Sequence, residues 1–311
     1  MNWKSEGKIM KKILIATTAL AATASMAAAE VNFGGYARFG LLYNEGAAEE
    51  TRIEQRFRLN ISASTETDGG VEFGGRIRIE TEDNADGTAR GEGPGSAEFN
   101  VSTGGFRLDV GNTSDALDSG DVVDFYGYGL GLTAFLEHDA SFDSGFTADG
   151  FGAHDGNAQQ RVKARYNIEN FTVNASYAPE VDGGADEVAQ IGLGYAIGDH
   201  NVGVVYGDNQ TTENDFWVVG VNGSFADFSY SVIVGEGEDD SADTSWGLSG
   251  AYAVSAATEI RALVTGGGLA DNEAYGIGFR HSLGGGVSLR GGVGQDTAED
   301  TVGDLGVIFS F

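Results

Sequence analysis

The stretch TRIEQRFRLNIS, Thr51 to Ser62, decides the class of fold. Its three arginines alternate strictly with apolar residues at positions 53, 57, 59 and 61. A β-strand turns successive side chains to opposite faces, so one face of this segment is apolar and the other carries guanidinium groups. The pattern predicts a strand that separates an apolar environment from a polar one.

The same alternation recurs along the chain, and helix-period segments are hard to find. The predicted strands fall at 31–43, 71–81, 162–168, 171–177, 202–206, 217–221, 228–234, 246–254, 275–279 and 305–311, with shorter ones between them. Short turns, such as 67–70, 103–105 and 284–286, alternate with long acidic connections, such as 44–50, 83–95 and 179–187. Short turns at one end and long loops at the other are the layout of an all-β, transmembrane, antiparallel up-and-down β-barrel.

Composition bounds the remaining choices. The chain has 311 residues, 50 of them glycine, no cysteine, and a formal net charge of −29. This composition favours one large β-rich domain, excludes disulfides and cysteine metal sites, and makes nucleic acid a poor partner. The four histidines are dispersed without metal-ligand spacing, and a hydrolase embedded in the barrel is the minor enzymatic alternative.

The first 29 residues have the pattern of a secretory signal peptide. Lys11 and Lys12 precede an apolar run from Ile13 to Ala22, and three alanines, 27–29, form a cleavage site. The mature domain is therefore predicted to be 30–311, with the natural start at Met10. No later apolar run approaches the roughly 20 residues of a membrane helix.

Arginine dominates the polar phase of the strands, and the predicted mature chain has one lysine, Lys163. Arginine suits a crowded, partly desolvated wall because its planar fork holds several hydrogen bonds and stays charged. We therefore expect a basic wall facing a lumen. The alternative is a solvated, arginine-rich sheet face. The predicted wall consists of Arg38, Arg52, Arg56, Arg58, Arg76 and Arg78, whereas Arg90 is predicted to lie in a loop. Aromatic residues near strand ends predict two membrane-interface girdles: Tyr43, Tyr177, Tyr206, Trp217, Trp246, Phe309 and Phe311.

The longest stretch without a strand pattern, about 112–160, is the third long connection and is long enough to predict a functional loop. Four acidic residues occur in it at every third position: Asp115, Asp118, Asp121 and Asp124. This spacing places carboxylates along one side of a helical turn, or simply reflects an acidic loop. Folded into the lumen, the loop would oppose the arginine wall and create a transverse field.

Several phrases resemble the trimeric general porins of purple non-sulfur bacteria, the Rhodobacter-type porins. They begin at the predicted mature end, Glu30-Val31, with Ala37-Arg38 and Tyr43-Asn44 following, and continue in Thr67 to Gly74, Tyr275 to Val293 and the terminal Gly303 to Phe311. The resemblance implies a sixteen-stranded barrel, a homotrimer, an inward acidic third loop, an opposing arginine cluster, and Phe311 as the signal read by the outer-membrane assembly machinery. It also implies possible Ca²⁺ binding by loop acids, whose ligands are not assignable because the third loop departs in sequence.

Together these features predict a non-enzymatic channel in the outer membrane of a Gram-negative bacterium. It would be surrounded by outer-membrane lipid, pass small hydrophilic solutes and ions passively, need no cofactor, and prefer cations modestly. Two alternatives are a structural or ligand-binding barrel without an open channel, and a secreted acidic calcium-binding β-protein.

Overall fold

The computed structural model describes residues 30–84, 86–142, 145–151, 159–181, 185–210, 214–237 and 243–311. The predicted signal peptide, 1–29, lies outside the described residues.

The described chain is built from strands. Their bounds are β1 Glu30–Asn44, β2 Thr51–Glu66, β3 Glu72–Asp83, β4 Ala89–Pro94, β5 Glu98–Thr103, β6 Phe106–Gly111, β7 Arg161–Ile168, β8 Phe171–Ala178, β9 Val188–Ile197, β10 His200–Asn209, β11 Asn214–Phe225, β12 Phe228–Gly237, β13 Asp243–Ser255, β14 Thr258–Gly268, β15 Ala274–Gly284, β16 Val287–Gln295 and β17 Thr301–Ser310. Among the described residues between β6 and β7 lies one 3-10 turn, His138–Ser141. Within the described ranges no helix is long and apolar enough to cross a membrane.

The strands form one closed antiparallel barrel. Successive strands pair with each other, and β1 pairs with β17 from Tyr36 opposite Ser310 to Asn44 opposite Val302. Strands β4 and β5 both pair with β3 and share one position in the barrel. The seventeen segments therefore occupy sixteen positions, which confirms the expected sixteen-stranded, all-β barrel.

The two faces of β2 have the predicted character. Ile53 and Phe57 point outward and are 67% and 44% exposed, as expected for side chains that meet hydrocarbon. The arginines at 52, 56 and 58 lie on the opposite face with side chains about one fifth to one quarter exposed. That face is the lumen, because Arg52 is opposite Leu42, which is in turn opposite Asp304, and Asp304 contacts the third loop. The seven predicted girdle aromatics lie on the outward face near its two ends, and all of them retain solvent exposure.

Turns and loops alternate as predicted, with one difference at β4. The expected connection 83–95 is shortened to 84–88, because Ala89–Pro94 pairs with the end of β3. Arg90 is therefore a strand residue rather than a loop residue, and it forms an ion pair with Glu82. Gly91 and Gly93 give this strand no apolar alternation of its own, so its position is set by pairing with β3.

Buried apolar side chains occur where the described parts of the third loop, 112–142 and 145–151, lie on the inner wall. One cluster joins loop residues Ala116, Leu117, Val122, Val123 and Phe125 to wall residues Val205, Phe216, Val218 and Ile233. A second cluster joins Leu130 and Leu136 of the loop to Leu263, Ala274 and Val302. In the described part of the chain, the barrel has no central apolar core. Each of the two clusters is formed by loop residues that pack against wall residues.

Candidate functional site

Near its start the third loop is bound to the wall at β8 and β9. The backbone N–H of Ala116 donates to Ser176 Oγ at 3.1 Å, and that of Leu117 donates to Gln190 Oε1 at 2.9 Å. Asn174 Nδ2 donates to the carbonyl of Ala116 at 3.2 Å. Loop backbone groups that leave water thus obtain partners from wall side chains, as buried polar groups require.

Further along, the loop is held by aromatic packing. Phe125 and Phe142 meet edge to face at 5.1 Å between ring centroids, and Phe142 meets Phe146 at 4.8 Å. Phe146 then meets Phe216 of β11 at 5.5 Å. This series of rings fixes the middle of the loop to the wall, with geometry typical of favourable aromatic pairs.

The tip of the loop lies on a strip of wall glycines. A Cβ added to Gly40 would lie 2.7 Å from Leu132 Cδ2, and one added to Gly292 would lie 3.1 Å from Phe135 Cε1. Gly306 and Gly278 lie against the same tip. Side chains at these positions would occupy the volume of the loop, so this part of the glycine-rich composition is explained by close approach of the loop backbone.

Asp304 of β17 anchors the tip. Its Oδ1 accepts the backbone N–H of Leu132 at 2.6 Å, and its Oδ2 accepts the N–H and the hydroxyl of Thr133 at 2.7 and 2.8 Å. Charge-assisted hydrogen bonds of this kind are stronger than neutral ones. The loop tip is therefore bound to the last strand of the barrel.

His138 is fully buried between the loop and β13. Its ring lies so close to Gly127 and Gly247 that a Cβ at either position would overlap it. Neither ring nitrogen has a hydrogen-bond partner among the described residues. Burial lowers the pKa of His138 to about 4, so the ring is neutral at physiological pH.

The six predicted wall arginines all face the lumen on β1, β2 and β3, and five of them form ion pairs with carboxylates of the same wall. Arg38 Nε lies 2.5 Å from Glu54 Oε1, and Arg76 Nε lies 2.9 Å from Glu98 Oε1. The remaining pairs are Arg52 with Asp83, Arg56 with Glu80 and Glu82, and Arg58 with Glu80. The wall is therefore a lattice of alternating charge rather than a purely basic surface.

The acidic half of this lattice was missed by the sequence reasoning. Glu80 and Glu82 lie directly opposite Arg58 and Arg56 in the β2–β3 register, and all four occupy the polar phase of their strands. Cross-strand pairs of opposite charge stabilise a sheet. Aligning β2 with β3 through their short turn would have revealed these partners.

Arg78 has a different environment from the other five wall arginines. Its guanidinium donates to Asn60 Oδ1 at 3.1 Å and to the carbonyl of Phe151 at 2.8 Å. The ring of Phe151 lies beneath the guanidinium groups of Arg76 and Arg78, 3.8 and 4.7 Å from their Cζ atoms. These cation–π contacts and the hydrogen bond join the end of the third loop to the arginine wall.

The four predicted loop acids do not form a row facing that wall. Residues 115–124 contain no helix, so their spacing of three does not bring the four acids to one side of a helical turn. Asp115 is 1% exposed and accepts the N–H groups of Asp118 and Asp149, each at 2.7 Å, and Gln190 Nε2 at 3.0 Å. Burial raises its pKa to about 7. The expectation that Asp115 lines the opening was wrong, because the carboxylate closes the turn that fixes the loop to β9.

The other three acids also have partners within the protein. Asp118 accepts the hydroxyl of Tyr126 at 2.7 Å, and Asp124 accepts the N–H of Gly127 at 3.2 Å. Asp121 forms ion pairs with Arg165 and Lys163 of β7, a basic pair outside the predicted wall. The loop carries further acids that the prediction omitted, among them Glu137, whose pKa is raised to about 8 by burial and by the charges of Asp139 and Asp124.

The described ranges contain no cluster of acidic or histidine side chains arranged as metal ligands. The loop acids are instead committed to hydrogen bonds and ion pairs within the protein. Calcium binding by loop acids stays a prediction from the resemblance.

A closed β-barrel with an apolar outer face, a charged lumen and a loop held inside it defines a transmembrane channel of the bacterial outer membrane. The sequence profile of the Gram-negative porins matches residues 16–301, and the chain belongs to this family.

Individual relatives agree. The porin of Fuscovulum blasticum is 29% identical over 303 residues, and the porin of Rhodobacter capsulatus is 26% identical over 316 residues. Each alignment spans 91% of this chain and 100% of the relative. Among solved structures, a five-substitution variant of Rh. blastica porin superposes with a TM-score of 0.78 at 28% identity, covering 91% of this chain and 100% of that one. A triple variant of the same porin gives 0.76 at 27% identity with the same coverage.

Proposed function

We propose that solutes cross this channel through a water-filled gap between the arginine wall and the inner surface of the third loop. The observation that carries the proposal is the water exposure of charged side chains inside the barrel. Arg76, Arg107 and Arg165 are 40%, 35% and 33% exposed although their strands turn them inward. Such exposure is expected where a water-filled space adjoins the inner wall. Small hydrated solutes pass through such a gap, whereas bulky apolar ones would have to displace ordered water.

The electrostatic character of the gap follows from the ion-paired wall. Because Glu54, Glu80, Glu82 and Glu98 compensate the arginines, the transverse field is weaker than an uncompensated basic wall would create. The strongly negative net charge of the chain then gives a modest cation preference. Passive diffusion of this kind involves no reacting group, so the channel is not an enzyme and needs no cofactor.

Assembly is the second part of the proposal. The terminal residue, Phe311, stacks on Phe57 at 5.4 Å on the outward face, and its carbonyl accepts the N–H of Gly35 at 3.0 Å. The ring remains half exposed. This placement leaves the terminal aromatic ring accessible to the outer-membrane assembly machinery. After insertion by that machinery, three copies of the chain form a homotrimer.

Single-channel recording in planar bilayers tests the channel. Purified protein should produce stepwise, ohmic conductance in KCl, and a KCl gradient should give a reversal potential with the sign of a modest cation preference. A protein that inserts without conductance steps would support the structural barrel instead. A chemically crosslinked sample that migrates as three copies tests the trimer.

A further inference from the structure

Two arginines lie side by side on the lumen wall without carboxylate partners of their own. Arg280 of β15 and Arg290 of β16 are directly opposite in the antiparallel register, and Ser282 and Ser288 form the next inward-facing opposed pair. All four share the face of Gly278 and Gly292, on which the loop tip lies. The square of two guanidinium groups and two hydroxyls is therefore on the short-turn side of the tip, inside the lumen.

Charge is unbalanced at this square. Glu259 is the one carboxylate of the described residues within 4 Å of Arg280, at 3.9 Å, and it is bound more closely by Arg261 at 2.7 Å. Arg290 Nε donates a hydrogen bond to Ser288 Oγ at 3.2 Å. Arg280 Nε is buried without a hydrogen-bond partner among the described residues. Two positive charges thus share part of one negative charge.

Other opposed arginines of this barrel are compensated. Arg107 and Arg165 are also directly opposite each other, yet Arg107 pairs with Asp109 at 2.7 Å and Arg165 pairs with Asp121. Like charges directly opposite in a sheet are destabilising unless they are compensated. An anion from solution would supply the missing compensation at Arg280 and Arg290.

The third loop does not supply it. Glu137 is the loop carboxyl whose ionisation Arg280 and Arg261 favour, but burial and the neighbouring charges of Asp139 and Asp124 hold its pKa near 8. The group is therefore mostly protonated at neutral pH. The lumen itself is wet, and Arg280 retains 29% of its side-chain exposure, so a solute can reach it.

We propose that Arg280, Arg290, Ser282 and Ser288 bind a doubly charged tetrahedral oxyanion, of which inorganic phosphate is the simplest. Guanidinium groups bind phosphate oxygens in pairs, and hydroxyls donate to the oxygens that remain. The inference rests on the proposed channel, since the ligand arrives through the lumen. A shallow site of this kind helps a dianion through a channel whose net charge repels it, provided that binding is weak enough to allow exit.

Titration of single-channel current with inorganic phosphate tests the site. Conductance is first measured in KCl alone, and phosphate is then added at constant ionic strength from the short-turn side. The wild type should show a saturable reduction of current. Arg280→Gln combined with Arg290→Gln should raise the half-blocking phosphate concentration at least tenfold. Arg280→Lys with Arg290→Lys should give a smaller increase, because point charges replace the planar forks.

The matched control removes the other opposed pair, Arg107→Gln with Arg165→Gln, and should change the half-blocking concentration less than twofold. Equal loss in the control would overturn the site, because it would show a response to total charge. A wild type that conducts in KCl but shows no saturable phosphate effect would overturn the site and leave the channel standing. The channel itself fails if KCl alone gives no conductance.

Discussion

Asp304 accepts the backbone N–H of Leu132 at 2.6 Å and that of Thr133 at 2.7 Å, across 171 or more residues of sequence. The carboxylate belongs to the last strand, and the two donors belong to the tip of the third loop. A single wall side chain thus satisfies consecutive N–H groups that have left water. We therefore expect contacts of this kind to help set the width of the channel.

Replacing Asp304 by Ala should release the tip while leaving the barrel intact. Each buried N–H left without an acceptor costs about 1–3 kcal/mol, so docking of the tip weakens more than folding does. We expect noisier single-channel currents with excursions to higher conductance. Asp304→Asn keeps one acceptor oxygen, so its current noise should lie between that of the wild type and that of Asp304→Ala. If Asp304→Ala gave currents as quiet as those of the wild type, the role of Asp304 as an anchor would be contradicted.

The glycine strip gives a steric test. Gly292→Leu should push the tip into the lumen, because an added Cβ is already 3.1 Å from the ring of Phe135, and overpacking of this kind costs roughly 1–3 kcal/mol. Gly34→Leu is the matched control, since it also faces the lumen but has its nearest neighbour, the Phe311 carbonyl, at 3.7 Å. Conductance should change in the first variant only.

Removal of three wall arginines should alter selectivity. With Arg52, Arg56 and Arg58 replaced by Ser, the constriction widens and the wall carboxylates lose their partners, so conductance and the K⁺/Cl⁻ permeability ratio should both rise severalfold. Adding Glu80→Gln and Glu82→Gln should return the ratio toward the wild-type value while conductance stays high. A folded triple variant with unchanged conductance and ratio would argue against a lumen-facing wall.

The outward face is tested by a charge in the membrane. Phe57→Arg should destabilise the inserted barrel by roughly 2–4 kcal/mol if the position is near the bilayer midplane, and Phe57→Leu should be nearly neutral. Because the protein has no cysteine, single Phe57→Cys and Arg56→Cys variants can be labelled with an environment-sensitive dye. The label at 57 should report lipid and the label at 56 should report water; the reverse result would refute the assignment of faces.

Loop docking should depend on pH in two directions. Glu137, with its pKa raised from 4.5 to about 8, holds a proton in the docked loop that it loses when undocked, so docking weakens as pH rises from 4.5 through 8. His138, with its pKa lowered from 6.5 to about 4, weakens docking as pH falls from 6.5 toward 4. The two effects oppose each other between pH 4.5 and 6.5. Hydrogen exchange of residues 128–141, corrected for intrinsic rates, should therefore show the greatest protection in that range and less protection on either side of it.

Glu137→Gln checks the alkaline side of that dependence. The amide does not titrate, so the loss of protection above neutral pH should become shallower, with the remainder assigned to Asp115, whose pKa is raised to about 7. An unchanged alkaline slope in this variant would remove Glu137 from the explanation.

Alternation in single segments was enough to predict the barrel, its two faces and the inward position of the arginines. The strand at Ala89–Pro94 escaped because its glycines carry no alternation, and its position is set by pairing with β3. The carboxylate partners of the arginines escaped for a related reason. That Glu80 lies opposite Arg58 can be inferred only from the register between β2 and β3, and the alternation within either strand does not give that register.

The third loop shows the limit more clearly. Its length and inward fold could be expected from the sequence, but the roles of its acids could not. The role of Asp115, for example, follows from the hydrogen bonds that it accepts from Gln190 and from the backbone of Asp149. The spacing of three suggested a helical row, whereas the four carboxylates have four different kinds of partner, in turns, elsewhere in the loop or on a strand. Long-range partners of this kind leave no periodic trace in the sequence.

Leu132 lies against Gly40 of β1 and Gly306 of β17, the two strands whose pairing closes the barrel. The surface against which Leu132 packs forms only when the first and the last strand have paired. We therefore expect the loop tip to reach its docked position only after these two strands have paired, so that a barrel left open at this seam would keep a wider passage.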